Sequence, residues 1–221
     1  MSGILTIIQA RMGSERLPGK VLMDICGKPM LQWVIEAAPE PKVVAIAAEP
    51  DGQQLANLCA ELGVYYSFGS PEDVLGRFWN AVDELQVTEC ETDVGWILRL
   101  TADCPMLTRE ILETFIELCE RASHAGDRYT IYTNRPHDPD GYDMELFSVK
   151  ALGLAHQHAT APHDREHVTP WMYRHLSVVR FSVLGRPVGP ERAEEKVSVD
   201  TAEDWEKVRR LMRCQTTTPT G

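Results

Sequence analysis

Nowhere in its 221 residues does the sequence hold an apolar run approaching the roughly 20 residues that a bilayer-spanning helix needs. Its first residues, MSGILTIIQAR, lack the basic start and long apolar stretch of a secretion signal. A cytoplasmic location is the expectation. Basic residues are in deficit, 22 against 33 acidic for a net charge of −11. That balance excludes a nucleic-acid binder or an anionic-membrane protein working through bulk charge. The six cysteines, at 26, 59, 90, 104, 119 and 214, form no CxxC pair and no zinc-ribbon spacing, so reduced thiols are expected and not disulfides or a metal cluster. Two phosphate-binding signatures are also missing. Five residues separate Gly13 from Gly19 and Val21 follows Lys20, which breaks the Walker pattern, and no GxGxxG occurs.

What is present is an ordinary soluble composition, 43% hydrophobic and 25% charged. A chain of this length buries roughly 70% of its unfolded surface without a staple. Short apolar runs alternate with helical segments, the pattern of a mostly parallel sheet flanked by helices. Strands are predicted at Ile4–Gln9, Lys42–Ala47, Val64–Phe68 and Val94–Leu100, the last apolar on both faces until Arg99. Ser70-Pro71-Glu72-Asp73 reads as the capped start of a helix reaching about Leu85. Thr108 caps a helix to about Arg121 and Thr201 another to about Arg213. Residues 124–147 show no helical period and hold Pro136, Pro139 and Gly141; strands are expected near Tyr129–Tyr132 and Met144–Phe147. With no repeat and no long linker, the expectation is one α/β domain over 1–213 and a polar, disordered tail over 214–221.

The strongest chemical signal is the stretch Gln9-Ala10-Arg11-Met12-Gly13-Ser14-Glu15-Arg16-Leu17-Pro18-Gly19-Lys20. It follows the first strand, where open α/β sheets place ligands at strand carboxyl ends. Residues 1–28 hold four basic and two acidic side chains, the remainder 18 and 31. A positive pocket in an acidic protein focuses a small polyanion without attracting nucleic acid. Gly13 and Gly19 let backbone approach phosphate oxygens and Ser14 adds a hydroxyl. Arg11 and Arg16 grip oxygens bidentately and Lys20 acts as a point charge. The loop is read as exposed, serving binding and not folding.

The stretch IIQARMGSERLPGKVLMDICGKPML resembles the cytidylyltransferases that make CMP-activated acidic sugars, most closely the branch named after spore coat polysaccharide biosynthesis protein F. SPEDVLGRF (70–78), RLTADCPML (99–107), DGYDMELFS (140–148), REHVTPW (165–171) and SVDTAEDW (198–205) fit that branch in order, so the resemblance spans about residues 1–210. It implies a single-domain nucleotidyltransferase fold of the glycosyltransferase-A type, a Mg²⁺-dependent reaction in which Mn²⁺ can substitute, CTP as donor and a small acidic sugar as acceptor. A homodimer is compatible with it.

Asp103 lies just past an apolar strand and Asp200 just before a capped helix, which are positions from which two carboxylates can hold Mg²⁺ with substrate phosphates and water. Taken alone, each also reads as a turn or cap residue. The resulting assignment gives Arg11, Lys20, Asp103 and Asp200 to catalysis, the two aspartates as metal ligands. Ala10, Gly13, Ser14, Arg16, Arg77 and Thr101 bind substrate. Asp140, Asp143, Glu145 and Arg165 are expected around the acceptor, with solvated loop positions as the bland alternative. No side chain stands out as a general base.

Other readings stay open. His163-Asp164-Arg165-Glu166-His167 matches HxxEH, an inverted zinc-hydrolase motif, although Pro162 and Pro170 leave it a short seat. The same fold could also carry a different nucleotide, a phosphonate or polyol-phosphate acceptor, or a catalytically silent binding subunit.

Overall fold

The computed structural model describes residues 3–87, 94–124, 128–185 and 196–216. Its strands follow the apolar runs closely. β1 is Ile4–Ala10, and after a short helical turn at Lys20–Leu22 and a small hairpin, β2 (Asp24–Ile25) with β3 (Lys28–Pro29), helix α1 spans Met30–Ala37. Then come β4 (Lys42–Ala47), α2 (Gly52–Glu61), β5 (Tyr65–Gly69), α3 (Val74–Val87), β6 (Trp96–Thr101) and α4 (Arg109–Ala122). The second half holds β7 (Thr130–Thr133), β8 (Glu145–Ser148), α5 (Val149–His158), α6 (Pro162–His167), α7 (Pro170–Arg174), β9 (Arg180–Val183) and α8 (Ala202–Thr216).

Seven strands form one sheet in the order β5-β4-β1-β6-β8-β7-β9. The first four pair in parallel, β8 is antiparallel to both β6 and β7, and β9 is parallel to β7. Side chains alternate across β1: Leu5 and Ile7 enter the core beneath α3, α5 and α7, while Ile8 and Ala10 enter the core beneath α1, α2, α4 and α8. The mostly parallel α/β sheet expected from the sequence is therefore present. From β1 the chain steps outward through β4 to β5, then returns to place β6 on the other side of β1. Gln9 at the end of β1 is in register with Thr101 at the end of β6. This is a topological switch point, where the loops leaving two neighbouring parallel strands diverge and open a crevice.

Helix starts follow local chemistry. Thr108 accepts a hydrogen bond from the Ile111 amide and Thr201 from the Asp204 amide, as expected. The start of α3 differs. Ser70 caps only the preceding turn, and the side chain receiving the Gly76 amide is Asp73, because Pro71 lies outside the helix. Helix α8 continues to Thr216, past the expected end at Arg213; residues 217–221 lie outside the described part. Cys26, Cys59, Cys104 and Cys119 are free thiols, and burial pushes the Cys59 thiol up to about 12. Cys90 lies outside the described residues. Among the described residues no helix is long and apolar enough to cross a membrane.

Candidate active site

The basic loop closes on itself through the Gly19 amide, which donates to the Met12 carbonyl at 3.0 Å. Gly19, at φ 69°, then turns the chain so that Lys20 points inward. Lys20 is 8% exposed, which corrects the reading of this loop as wholly exposed. Its Nζ donates to Asp103 Oδ2 (2.8 Å), Asp200 Oδ1 (3.3 Å) and the Val199 carbonyl (2.6 Å). One ammonium thus ties the ends of β1 and β6 to the segment before α8. Arg11 and Arg16 remain exposed, and Arg16 Nη2 reaches Asp200 Oδ1 at 3.2 Å. Glu49, from the loop after β4, accepts from the Met12 and Gly13 amides at 2.9 and 2.7 Å. Of the two glycines expected to present backbone to phosphate, Gly13 thus has its amide held by a carboxylate and Gly19 by the Met12 carbonyl.

Asp103 and Asp200 converge because the backbone joins them: the Val199 amide donates to the Asp103 carbonyl at 3.0 Å. The loop at 140–143 supports that segment, its Asp140 carbonyl accepting from the Val197 and Ser198 amides. A Cβ at Gly141 (φ 106°) would stand 2.2 Å from the Ser198 nitrogen, so only glycine lets the two backbones approach. The reading of Asp200 as a helix cap is not met. Thr201 is the cap, and the Asp204 carboxylate accepts from the Asp200 and Thr201 amides in return. The Asp200 carboxylate is left to cations: Lys20, Arg16 and, at 2.9 Å, Lys196. Burial alone would raise its pKa, but Lys196 and Lys20 outweigh burial and hold it below the usual carboxylate range.

A cavity of about 260 Å³ opens between these elements. Ala10, Arg11, Ser14, Arg16, Lys20, Arg77, Thr101, Asp103 and Asp200 all border it, so most of the sequence-predicted site residues are brought together. Arg77, on α3, is 2% exposed, and its Nε and Nη1 have no hydrogen-bond partner among the described residues. Burial, helped by the nearby Arg11 charge, pulls its pKa down to about 10. Its stem packs on Gly69, where a Cβ would stand 2.9 Å from Arg77 Cγ.

A second cavity of about 510 Å³ lies beyond, bordered by Arg99, Arg135, Glu145, His163, His167, Tyr173 and Phe181 among others. Glu145 is its buried anion: Arg99 Nη1 donates to Oε2 at 2.5 Å, Thr169 to Oε1 at 3.0 Å, and the Tyr173 hydroxyl also to Oε1. The other three predicted acceptor residues do not border either cavity. Asp140 and Asp143 pair with Arg135 at 3.7 and 3.2 Å. Burial raises the Asp143 pKa, against the pull of Arg135. Arg165 donates to Asp73 at 2.5 Å and to the His156 carbonyl at 2.9 Å, fastening α6 to α3 and α5.

Sequence reasoning did not single out Glu49, Lys196, or the placement of Glu166 and His167 on the first cavity. The REHVTPW stretch and the HxxEH match were the available signals for the last two. Among the described residues no group of three or more His, Cys, Asp or Glu side chains could hold a metal, so the HxxEH histidines find no third ligand there. Asp103 and Asp200 are two hard oxygen donors on one face of the cavity. They fit Mg²⁺ or Mn²⁺, which take a few carboxylate oxygens and complete their shell with phosphates and water.

Comparison with known proteins agrees with this arrangement. The cytidylyltransferase family model matches residues 5–218. The chain is 29% identical over 223 residues to the spore coat polysaccharide biosynthesis protein SpsF of Bacillus subtilis, covering 96% of this chain and 87% of that one. It is 27% identical over 251 residues to a 3-deoxy-manno-octulosonate cytidylyltransferase of Rhizobium leguminosarum, covering 98% of each. A solved cytidylyltransferase from Leptospira borgpetersenii superimposes with a TM-score of 0.83 at 25% identity, covering 97% of this chain and 88% of that one. A basic loop, two converging aspartates and a switch-point crevice thus sit on the scaffold of known CTP-using enzymes, and the chain belongs to the cytidylyltransferase family.

Proposed function

We propose that this enzyme transfers CMP from CTP to a small acidic acceptor of the nonulosonic-acid type and releases pyrophosphate, in the cytoplasm. The observation that carries the reading is the meeting of Asp103 and Asp200, 97 positions apart in the sequence, beside a basic loop at the sheet's switch point. Arg11, Ser14, Arg16 and Lys20 bind the triphosphate. Charge spreads over phosphate oxygens in such a transfer, so positioning and electrostatic stabilisation do most of the work. Arg16 and Lys20 withdraw charge from the departing pyrophosphate. Asp103 and Asp200 would hold Mg²⁺ or Mn²⁺, which when bound neutralises triphosphate charge. Arg77, a buried cation whose Nε and Nη1 lack a hydrogen-bond partner among the described residues, supplies a donor deep in the same cavity. The second cavity seats the acceptor, with Arg135 at its rim for an acidic group and the Arg99–Glu145 pair for hydroxyls.

The test is pyrophosphate release with each of the four nucleoside triphosphates against a panel including 3-deoxy-manno-octulosonate, N-acetylneuraminate, a phosphonate and a polyol phosphate, with and without Mg²⁺. Release with CTP and a sugar acid, dependent on Mg²⁺, is expected. Release with a phosphonate or polyol phosphate alone moves the acceptor class, and equal release from all four nucleotides removes the cytidylyl assignment.

A further inference from the structure

Transfer to a hydroxyl requires a proton to leave the attacking oxygen, and the residues assigned so far bind charge without accepting one. His167 is placed to do so. It borders both cavities, the one with the residues proposed to bind phosphate and the one assigned to the acceptor, and among the described residues no other does. The reacting oxygen and the α-phosphorus must meet where the two spaces join. His167 is exposed, and its ring meets that of His163 at a centroid distance of 4.6 Å, which leaves it accessible to a ligand.

The backbone beside it is unusual. Val168 is fully buried at φ 71° and ψ −58°, and the Thr169 amide donates across it to the His167 carbonyl at 2.8 Å. This is a γ-turn of the rare positive-φ kind, on a β-branched residue for which such a φ is an outlier. Strain of this sort costs about 1–3 kcal/mol and persists only where surrounding contacts enforce it. Those contacts are present. On the near side, Asp164 is 3% exposed and takes Arg174 Nη2 on both oxygens at 2.5 Å, while Arg165 locks onto Asp73. On the far side, Thr169 is bonded to Glu145. The turn ends α6 at His167 and directs the chain into α7, fixing the backbone that carries the imidazole.

We infer that His167 is the general base of the transfer, an inference that rests on the cytidylyltransferase reading. Its unprotonated ring nitrogen takes the proton of the acceptor hydroxyl while the oxygen's electron pair forms the bond to the α-phosphorus. The bond from that phosphorus to the β-phosphate's bridging oxygen breaks, the pair leaves with pyrophosphate, and the imidazolium returns its proton to solvent. General-base catalysis contributes about 10²–10⁴-fold.

The test compares the parent enzyme, His167→Ala, His167→Gln and Glu166→Gln, using CTP and whichever acceptor of the panel above supports release. For both His167 variants kcat should fall at least about 100-fold, with KM for CTP and melting temperature near parental values. Added imidazole should restore part of the rate to His167→Ala and none to His167→Gln, whose side chain fills the space. A parental kcat in both variants, a loss appearing in KM for CTP alone, a fall without imidazole rescue, or a larger fall for Glu166→Gln each overturns the assignment. If the parent releases pyrophosphate with no acceptor, the cytidylyltransferase reading fails first, and the inference with it.

Discussion

The Lys20 ammonium lies 2.8 Å from Asp103 Oδ2, across 83 positions of sequence, and the same nitrogen reaches Asp200. A cation of the chain's own thus bridges two carboxylates that would otherwise repel each other in a half-buried setting. The charge proposed to neutralise phosphate also holds these two carboxylates together. Removing it from Lys20→Ala leaves both carboxylates short of their shared partner. The expected cost is about 3 kcal/mol, at the lower end for a broken buried pair because each carboxylate keeps about a quarter of its surface in water. In a domain of this size that lowers the melting temperature by roughly 6–12 °C. Mg²⁺ should recover more of the melting temperature in the variant than in the parent, since it replaces a missing cation. A scanning-fluorimetry series with and without Mg²⁺ decides this, and an unchanged melting temperature would mean that the ammonium contributes only to binding.

The two aspartates separate stability from chemistry. Asn at position 103 or 200 still accepts a hydrogen bond from Lys20, and the cap of α8 belongs to Thr201 and Asp204. Asp103→Asn and Asp200→Asn should therefore lose no more than about 1–2 kcal/mol by urea denaturation. If the two carboxylates hold Mg²⁺ as proposed, turnover should drop by orders of magnitude, because an amide lacks the charge to do so. Raised Mg²⁺ rescues Asp103→Asn in part if affinity is the lesion. Near-parental turnover in both variants would move the metal elsewhere.

Acid should distinguish two carboxylates whose pKa values are shifted in opposite directions. Asp204, despite burial, is held below its ordinary pKa by Lys196 and by the Asp200 and Thr201 amides. Its contribution is therefore complete above the unfolded value near 4 and is lost as pH falls through the lower folded value. Asp143 is the reverse: burial raises its pKa, so its charged form opposes folding at neutral pH and acid relieves it. Against the parent, Asp204→Asn should be destabilised at pH 7 with the gap closing below about pH 4. Asp143→Asn should be stabilised at pH 7, its advantage fading at a higher pH. Urea midpoints from pH 7 to 3 measure both, and two gaps of the same sign would contradict the scheme.

How much of this could be read beforehand depends on whether the cause is local. Strands β1, β4 and β6 are apolar runs bounded by turn residues, and Thr108 and Thr201 cap through bonds three residues long, so each is visible in a short window. The basic loop was legible for the same reason, since a cluster of cations and glycines after a strand is a property of neighbouring residues. Lys20 was misjudged because its burial comes from Val199 and Asp200, nearly 180 positions away, and no window contains both. The antiparallel insertion of β8 between β6 and β7, which carries Glu145 into the second cavity, is likewise a choice of partner and not of conformation. Arg165 sits in a motif expected at the acceptor, yet its partner is Asp73, the residue that caps α3. His167 stood inside a recognised stretch, but only the meeting of two cavities shows what it faces.

Arg77 offers the sharpest trade between folding and binding. A guanidinium that is 2% exposed, with Nε and Nη1 unpartnered and Arg11 nearby, is a net liability to the free fold. Methionine has similar length and no charge, so Arg77→Met should stabilise the ligand-free protein by about 1–2 kcal/mol, as other replacements of buried charge by apolar groups do. If the donor serves CTP, the same variant should bind CTP about 10- to 100-fold more weakly, the worth of a charge-assisted hydrogen bond. Gly69→Ala gives an independent check. Its Cβ would press on the Arg77 stem without removing the charge, so CTP affinity should fall while the stabilisation seen with methionine is absent. Titration calorimetry with CTP and urea unfolding of both variants give the four numbers. An Arg77→Met protein that is more stable yet binds CTP as the parent does would place this arginine outside the nucleotide's reach.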